Sequence, residues 1–294
     1  MNARGLGMVL LCSHLGDPGR PVLTSSRLME LERRVLKLGP PGEGQVTPAY
    51  LLALGCGREE ARHICGLLSQ EALAIRYLER ARSLGIRCLT RNTSQYPRRL
   101  RDALGDQAPA VLWCRGDESL LNTAAIGVAG SRDASAQALN FARSVGRAAA
   151  GQNLTLVSGG ARGCDTAAET GCLEAGGQVI RVLPDRLDAH PVSRQGLLLL
   201  CEDSYDLPFS AHRALSRNRV IHSLGAVTVI AQSGLRGGTW DGTMRNLNGG
   251  WSRVCVPEDR SPAAQAFLAK GACLLCPGDL QNLASLADTQ TSLF

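Results

Sequence analysis

Up to about residue 105 the apolar positions recur at helical spacing, and no segment alternates convincingly in the manner of a strand. The pattern is plainest over 47–68, where positions 51, 52, 54, 64, 67 and 68 are apolar on either side of a Gly55-Cys56-Gly57 break, and over 71–85. GDPGRP (16–21) and GPPGEG (39–44) read as linkers. A small helical domain over residues 1–105 is the expectation. From Ala124 short apolar runs take over. AAIGVAG (124–130), LTLVSG (154–159), QVIRVLP (178–184), AVTVIA (226–231) and SRVCVP (252–257) read as buried strands, and helical stretches separate them at 138–150, 165–176, 213–224 and 243–248. Strands alternating with helices predict an α/β domain over residues 106–294, built on a doubly wound, mostly parallel sheet. Ligands of such sheets bind at the turns that leave the carboxyl ends of the strands.

Composition narrows the class. Of the 294 residues 44% are hydrophobic and 20% charged, which suits a soluble globular chain, and no apolar run approaches the ~18 residues that span a bilayer. GMVLLC (7–12) is too short for an export signal and lacks a cleavage site after it. Eleven cysteines, an odd number without framework spacing, read as reduced thiols of a cytoplasmic protein. Cys273-Leu-Leu-Cys276 has no second pair, so no metal site is expected there. The net charge of +6 is uneven: residues 1–105 carry +7 and residues 106–294 carry −1. Bulk basicity therefore argues for no partner of the second region, and the placement of its arginines matters more.

Four polar loops stand at the strand ends. In Gly130-Ser131-Arg132 the glycine permits a tight turn, while the hydroxyl, backbone N–H groups and guanidinium suit an anion; Ser131 or Asp133 equally suits a helix cap. Gly159-Gly160-Ala161-Arg162-Gly163 lets a phosphate approach backbone beside an arginine, yet it lacks both the GxGxxG spacing and a Walker lysine. The residues after it, Thr166 to Glu169 with Asp165 as a rival, read as a capping box rather than as acid–base catalysts. Arg217-Asn218-Arg219 lies in a helical segment, where a solvated face is the ordinary explanation and Asn218 is a poor helix former. Gly237-Gly238-Thr239-Trp240-Asp241-Gly242 reads as a glycine turn capped by Thr239 or Asp241.

In this order the loops resemble the DNA-processing protein A (DprA/Smf) family. The likeness rests on VAGSR (128–132), VSGGARGCDTAAETGCLEAGG (157–177), a phenylalanine followed by RNRVI (217–221), and a Gly-Gly-Thr loop before a helix. TRNTSQYPRRLRD (90–102) and APAVLWCRGD (108–117) extend it, so that it covers about residues 45–275. The resemblance implies a Rossmann-like domain over 106–294, single-stranded DNA as ligand, and protection of incoming strands in natural transformation. It also implies loading of the RecA recombinase, a homodimer, and neither catalysis nor cofactor. By the same resemblance Gly130, Ser131, Arg132, Gly159, Gly160, Arg162, Gly163, Arg217, Asn218 and Arg219 form one positively lined pocket. Three departures stand out. Cys164 and Glu169 replace the isoleucine and histidine of the family's ARGID..AH pattern, and a carboxylate disfavours an anion unless it is engaged as a capping partner. The Gly-Gly-Thr-Trp-Asp-Gly loop differs from the commoner Ser-Gly-Ser/Thr version. The chain ends at Phe294 without the winged-helix tail of many relatives, which resembles a shorter branch of the family, with defence against phage as the alternative pathway to transformation.

For a single strand, arginines at several loop ends track successive phosphates with weak sequence preference. Aromatic residues are 4% of the chain; Tyr205, Phe209, Trp240 and Trp251 are candidate stacking platforms, with core packing the expectation for each. The runner-up is a nucleotide N-glycosidic-bond hydrolase, which GGTWDGT (237–243) partly resembles and which would draw its carboxylate from Asp241, Asp165 or Glu169. A passive small-nucleotide sensor or carrier is the third class.

Overall fold

The structure is a computed structural model that describes residues 1–42, 45–192 and 195–288, so that residues 43 and 44 of the second linker lie outside the described residues. Five helices lie between residues 3 and 83 among the described residues. The helices are Ala3–Cys12, Ser25–Leu38, Pro48–Ala53, Arg58–Leu68 and Glu71–Ser83, with the Gly55-Cys56-Gly57 break separating the third from the fourth. Asn2, Thr24 and Thr47 accept the N–H of residues 5, 27 and 50, which satisfies one otherwise orphaned donor at each of three N-termini.

Among the described residues nine strands form one sheet. They are β1 (Arg87–Thr90), β2 (Val111–Gly116), β3 (Ala125–Ala129), β4 (Thr155–Ser158), β5 (Val179–Val182), β6 (Leu197–Glu202), β7 (Val227–Ile230), β8 (Arg253–Pro257) and β9 (Cys273–Leu275), in the order β1-β2-β6-β5-β4-β3-β7-β8-β9. β1 pairs antiparallel with β2 and β2 with β6, while every other pairing is parallel. The fold class is the α/β one, doubly wound and mostly parallel, that the alternating pattern predicts, and the Rossmann-like one that the resemblance implies.

The N-terminal region is not strand-free. β1 falls within residues 1–105 and extends the sheet, and its four residues are too few to show alternation. β6, LLLLCE, is buried at all six positions, and so continuous an apolar run carries no period by which to tell strand from helix. One apolar cluster joins Met8, Leu28 and Tyr77 of the helical region to Trp113, Val128 and Leu199 of the sheet. A second covers the opposite face, from Leu100 and Leu112 to Val157 and Ile221.

Helices Ala136–Gly151 and Cys164–Glu174 follow β3 and β4 and cross in backbone contact. A Cβ on Gly146 would lie 2.0 Å from the Ala168 carbonyl oxygen, and one on Gly171 would lie 2.2 Å from that of Arg143. Only hydrogen fits there. This crossing sets the spacing of the two loops from which the helices start.

Candidate functional site

β3, β4 and β5 proceed to one side of the sheet and β7, β8 and β9 to the other, so a crevice opens where β3 meets β7. Beyond the carboxyl ends of these two strands lies a cleft of about 670 Å³. Hydrogen bonds between its loops hold it together. The Ser131 N–H donates to the Gln232 carbonyl (2.9 Å), and the Cys164 N–H donates to the Ser131 carbonyl (3.2 Å). The Thr239 hydroxyl donates to the Gly130 carbonyl (3.0 Å), and the Asn218 amide donates to the Gly238 carbonyl (3.0 Å). Two glycines make this closeness possible. A Cβ on Gly130 would lie 2.4 Å from that of Cys164, and Gly163, at φ +92°, has room for none beside the Ser131 carbonyl.

Arg217 is the floor of the cleft. It sits where the expected helix breaks into Ala211–Ser216 and Asn218–Leu224, and that break turns its side chain inward, leaving it 5% exposed. Its guanidinium lies flat on Gly159, where a Cβ would be 1.7 Å from Nη1, and Nη2 donates to the Gly159 carbonyl (3.3 Å). Burial pushes its pKa down, Asp165 opposes that shift, and Nε is buried without a hydrogen-bond partner. A buried, incompletely satisfied cation is costly unless an acceptor completes it. Arg132 and Arg236 line the cleft above it, both exposed and without an ion-pair partner among the described residues.

The carboxylates behind the glycine loop do not form the expected capping box. The helix starts from Gly163 with no side-chain cap. Asp165 Oδ2 instead accepts the N–H groups of Gly159 (3.2 Å) and Ala161 (3.4 Å), which stitches the loop onto the helix. Glu169 accepts from the Ser158 hydroxyl and pairs with Arg181. The glutamate at the family's histidine position is thus engaged by Arg181, and its charge is compensated there. The caps expected elsewhere differ too: Ser135, not Ser131 or Asp133, caps the helix after β3, and no side chain caps Gly238–Gly249.

Burial raises the Asp165 pKa from 3.8 to about 6, with Arg217 opposing the shift. A carboxyl raised on folding contributes stability that is complete below its unfolded value and is lost as pH rises through the folded value. That contribution therefore fades between pH 4 and 6. Protonation also removes a negative charge beside Arg217, so anion affinity is expected to rise as pH falls from 7 to 5. His222, which lines the cleft, is pushed down to about 4 by burial and next by Arg217, and adds no charge in this window. Asp165→Asn should flatten both dependences, read as melting temperature and oligonucleotide affinity against pH. Unchanged pH profiles in the variant would contradict this assignment.

Of the ten residues expected in one pocket, five line the cleft: Gly130, Ser131, Arg132, Arg217 and Asn218. Gly159 and Gly160 lie beneath the side chains of Arg217 and Arg181. Arg162 and Gly163 line an adjoining trough that shares Arg132, and exposed Arg162 is paired with Asp133. Arg219 points away, because Glu202 holds its Nη2 at 2.6 Å and the Gln107 carbonyl accepts from Nη1 at 3.0 Å. The ten residues are thus distributed over a cleft with two glycines beneath its arginines, a trough and a separate groove. Phe209 also departs from its expected place in the core, being 54% exposed on the cleft wall. Tyr205 is fully buried against Tyr77 and Trp113, and Trp240 stacks on Phe267. The pattern gave no hint of Arg181 or His222, whereas Arg236 stands directly before the Gly-Gly-Thr loop, where a basic residue is a readable signal.

Together the fold and the cleft define a Rossmann-like protein whose loops converge over a buried arginine at the switch point of its sheet. Residues 87–282 match the family described as DNA recombination-mediator protein A, and the chain belongs to that family. The DNA processing protein DprA of Streptococcus pneumoniae is 30% identical over 187 residues, which are 58% of this chain and 65% of that protein. The chain spans from 36% to 65% of the length of the curated relatives it matches. Its fold is that of the S. pneumoniae DNA processing protein A structure, with a TM-score of 0.76, 20% identity and coverage of 96% of this chain and 98% of the other. It is also similar to DNA processing protein A of Helicobacter pylori, a protein with a unique single-stranded DNA binding mode. That likeness has a TM-score of 0.57 and 24% identity, over 70% of this chain and 95% of the other. No helix among the described residues is long and apolar enough to cross a membrane.

Proposed function

We propose that the protein binds single-stranded DNA, with Arg217, Arg132 and Arg236 gripping successive phosphates along the cleft and Arg162 continuing the path through the trough. The observation that carries this reading is Arg217, a buried cation with an unsatisfied Nε on the floor of an open cleft. An anion that completes it inside a desolvated site gains more than one held at the surface. In this reading the protein is a recombination mediator that acts as a homodimer, protects incoming strands and presents them to the RecA recombinase, with Gly159, Gly160 and Gly163 shaping the grip. It is a binding protein rather than an enzyme, since Asp165 and Glu169 are committed to loop amides and to Arg181. Family membership and the DNA-binding relative in H. pylori support it.

Competition tests the reading. A bound fluorescent oligothymidylate should be displaced by unlabelled oligonucleotide of any sequence at similar concentrations, and by a nucleoside monophosphate only at far higher ones. A monophosphate that competes equally and releases its base would establish the hydrolase, with exposed Asp241 on the cleft wall as its carboxylate. Phe209→Ala should weaken oligonucleotide binding about tenfold, the scale of one lost base stack, without lowering the melting temperature. An unchanged affinity would remove Phe209 from the interface.

A further inference from the structure

A second groove, of about 580 Å³, opens across the Ala211–Ser216 helix from the cleft. Leu215 lines both and is 40% exposed, so the two sites share a wall at the surface. The consecutive residues Arg217, Asn218 and Arg219 straddle this boundary, with Arg217 in the cleft and Arg219 in the groove. The groove differs from the cleft in two respects. The cleft is lined by Asp133, Asp165 and Asp241, whereas among the described residues no carboxylate lines the groove, and Glu202 behind it is paired with Arg219. The groove also holds an aromatic ring. Trp251 packs one side against the core cluster around Leu100 and Ile221 and remains partly exposed. Its indole is seated on Gly249, where a Cβ would lie 2.6 Å from Nε1.

Around that ring stand Arg245, exposed and without an ion-pair partner among the described residues, and Arg219, whose Nε is buried without a hydrogen-bond partner. A ring held in place by its packing loses little freedom when a flat partner stacks on it, and an unpaired arginine beside it suits a phosphate. An aromatic ring beside Arg245, a cation without an ion-pair partner among the described residues, with the adjoining carboxylate of Glu202 already neutralised by Arg219, matches the alternation of base and phosphate in a nucleotide strand.

We propose that this groove is a second strand-binding site, in which Trp251 stacks a nucleobase and Arg245 holds an adjoining phosphate of a strand that has crossed Leu215 from the cleft. It rests on the reading of the cleft as a single-strand site. The strand is then bound on both sides of the Ala211–Ser216 helix, and oligonucleotides too short to cross that helix gain nothing from the groove.

Length dependence tests this with hexameric and twenty-residue oligothymidylates. Trp251→Ala and Arg245→Ala should each weaken the longer strand about tenfold and leave the hexamer unchanged. In Arg245→Ala the salt slope for the longer strand should flatten by about 0.7, the share of one phosphate contact. Arg245 is exposed and has no ion-pair partner among the described residues, so its removal leaves folding intact even where loss of Trp251 does not. The longer strand should also quench tryptophan fluorescence in the wild type and not in Trp251→Phe. Variants that bind both lengths as the wild type does would overturn the proposal, as would an equal loss for both lengths. A wild type that binds neither length would overturn the cleft reading itself.

Discussion

Arg217→Ala is expected to weaken oligonucleotide binding between ten- and a hundredfold and to destabilise the protein at pH 7 by about 1–2 kcal/mol. The binding loss follows from the buried Nε and the contact with Gly159, since a charge-assisted hydrogen bond made by a buried group contributes about 1.5–3 kcal/mol. The stability loss follows from Asp165, a buried carboxylate that loses the nearby charge of Arg217; the two are not in direct ion-pair contact, so the loss stays below the ~3–5 kcal/mol of a broken buried salt bridge. The two effects separate with pH. Asp165 is already largely protonated at pH 5, below its value of about 6, so the destabilisation should shrink there while the binding defect persists. Denaturant unfolding at pH 5 and 7, with anisotropy titrations at both, checks it. A stability loss equal at the two pH values would contradict the coupling between Arg217 and Asp165.

Gly146→Ala is expected to be among the most destabilising single-methyl additions, by about 3 kcal/mol, because its Cβ would meet the Ala168 carbonyl at 2.0 Å and the Cys172 N–H nitrogen at 2.8 Å. Both are backbone atoms of one helix, so relief requires helices Ala136–Gly151 and Cys164–Glu174 to part. For a chain of this size that corresponds to a fall in melting temperature of roughly 6–12 °C. Because the two helices start from the loops of Gly130-Ser131-Arg132 and Gly159–Gly163, the folded fraction should also bind oligonucleotide less tightly. A melting temperature within a degree of the wild type would show that the crossing tolerates the methyl.

Within the parallel part of the sheet β3, β4, β5, β7 and β8 were legible as short apolar runs set between polar or glycine-rich turns, and these five runs form strands where the pattern puts them. β1 and β6 were not, for opposite reasons: Arg87–Thr90 is too short to show a period and Leu197–Glu202 too uniformly apolar. In the cleft, the loops could be read from glycine and arginine content, and Arg217 and Asn218 stand where one was expected. The partners of the loop residues could not. Whether Asp165 caps a helix or stitches a loop depends on where the Gly159 and Ala161 amides point, and whether Glu169 burdens an anion depends on Arg181 twelve residues away on β5. Arg219 shows the same limit. Two residues from Arg217, it lies across the Ala211–Ser216 helix, because the break in that helix at Arg217 decides which side chain faces the cleft.

The central claim is that Arg132, Arg217 and Arg236 grip successive phosphates of one strand. The most direct test is the affinity of the unmodified protein for a hexameric oligothymidylate as a function of sodium chloride concentration. Three phosphate contacts, at about 0.7 each for a single strand, predict a log–log slope near −2. An affinity that does not change with salt would contradict the claim.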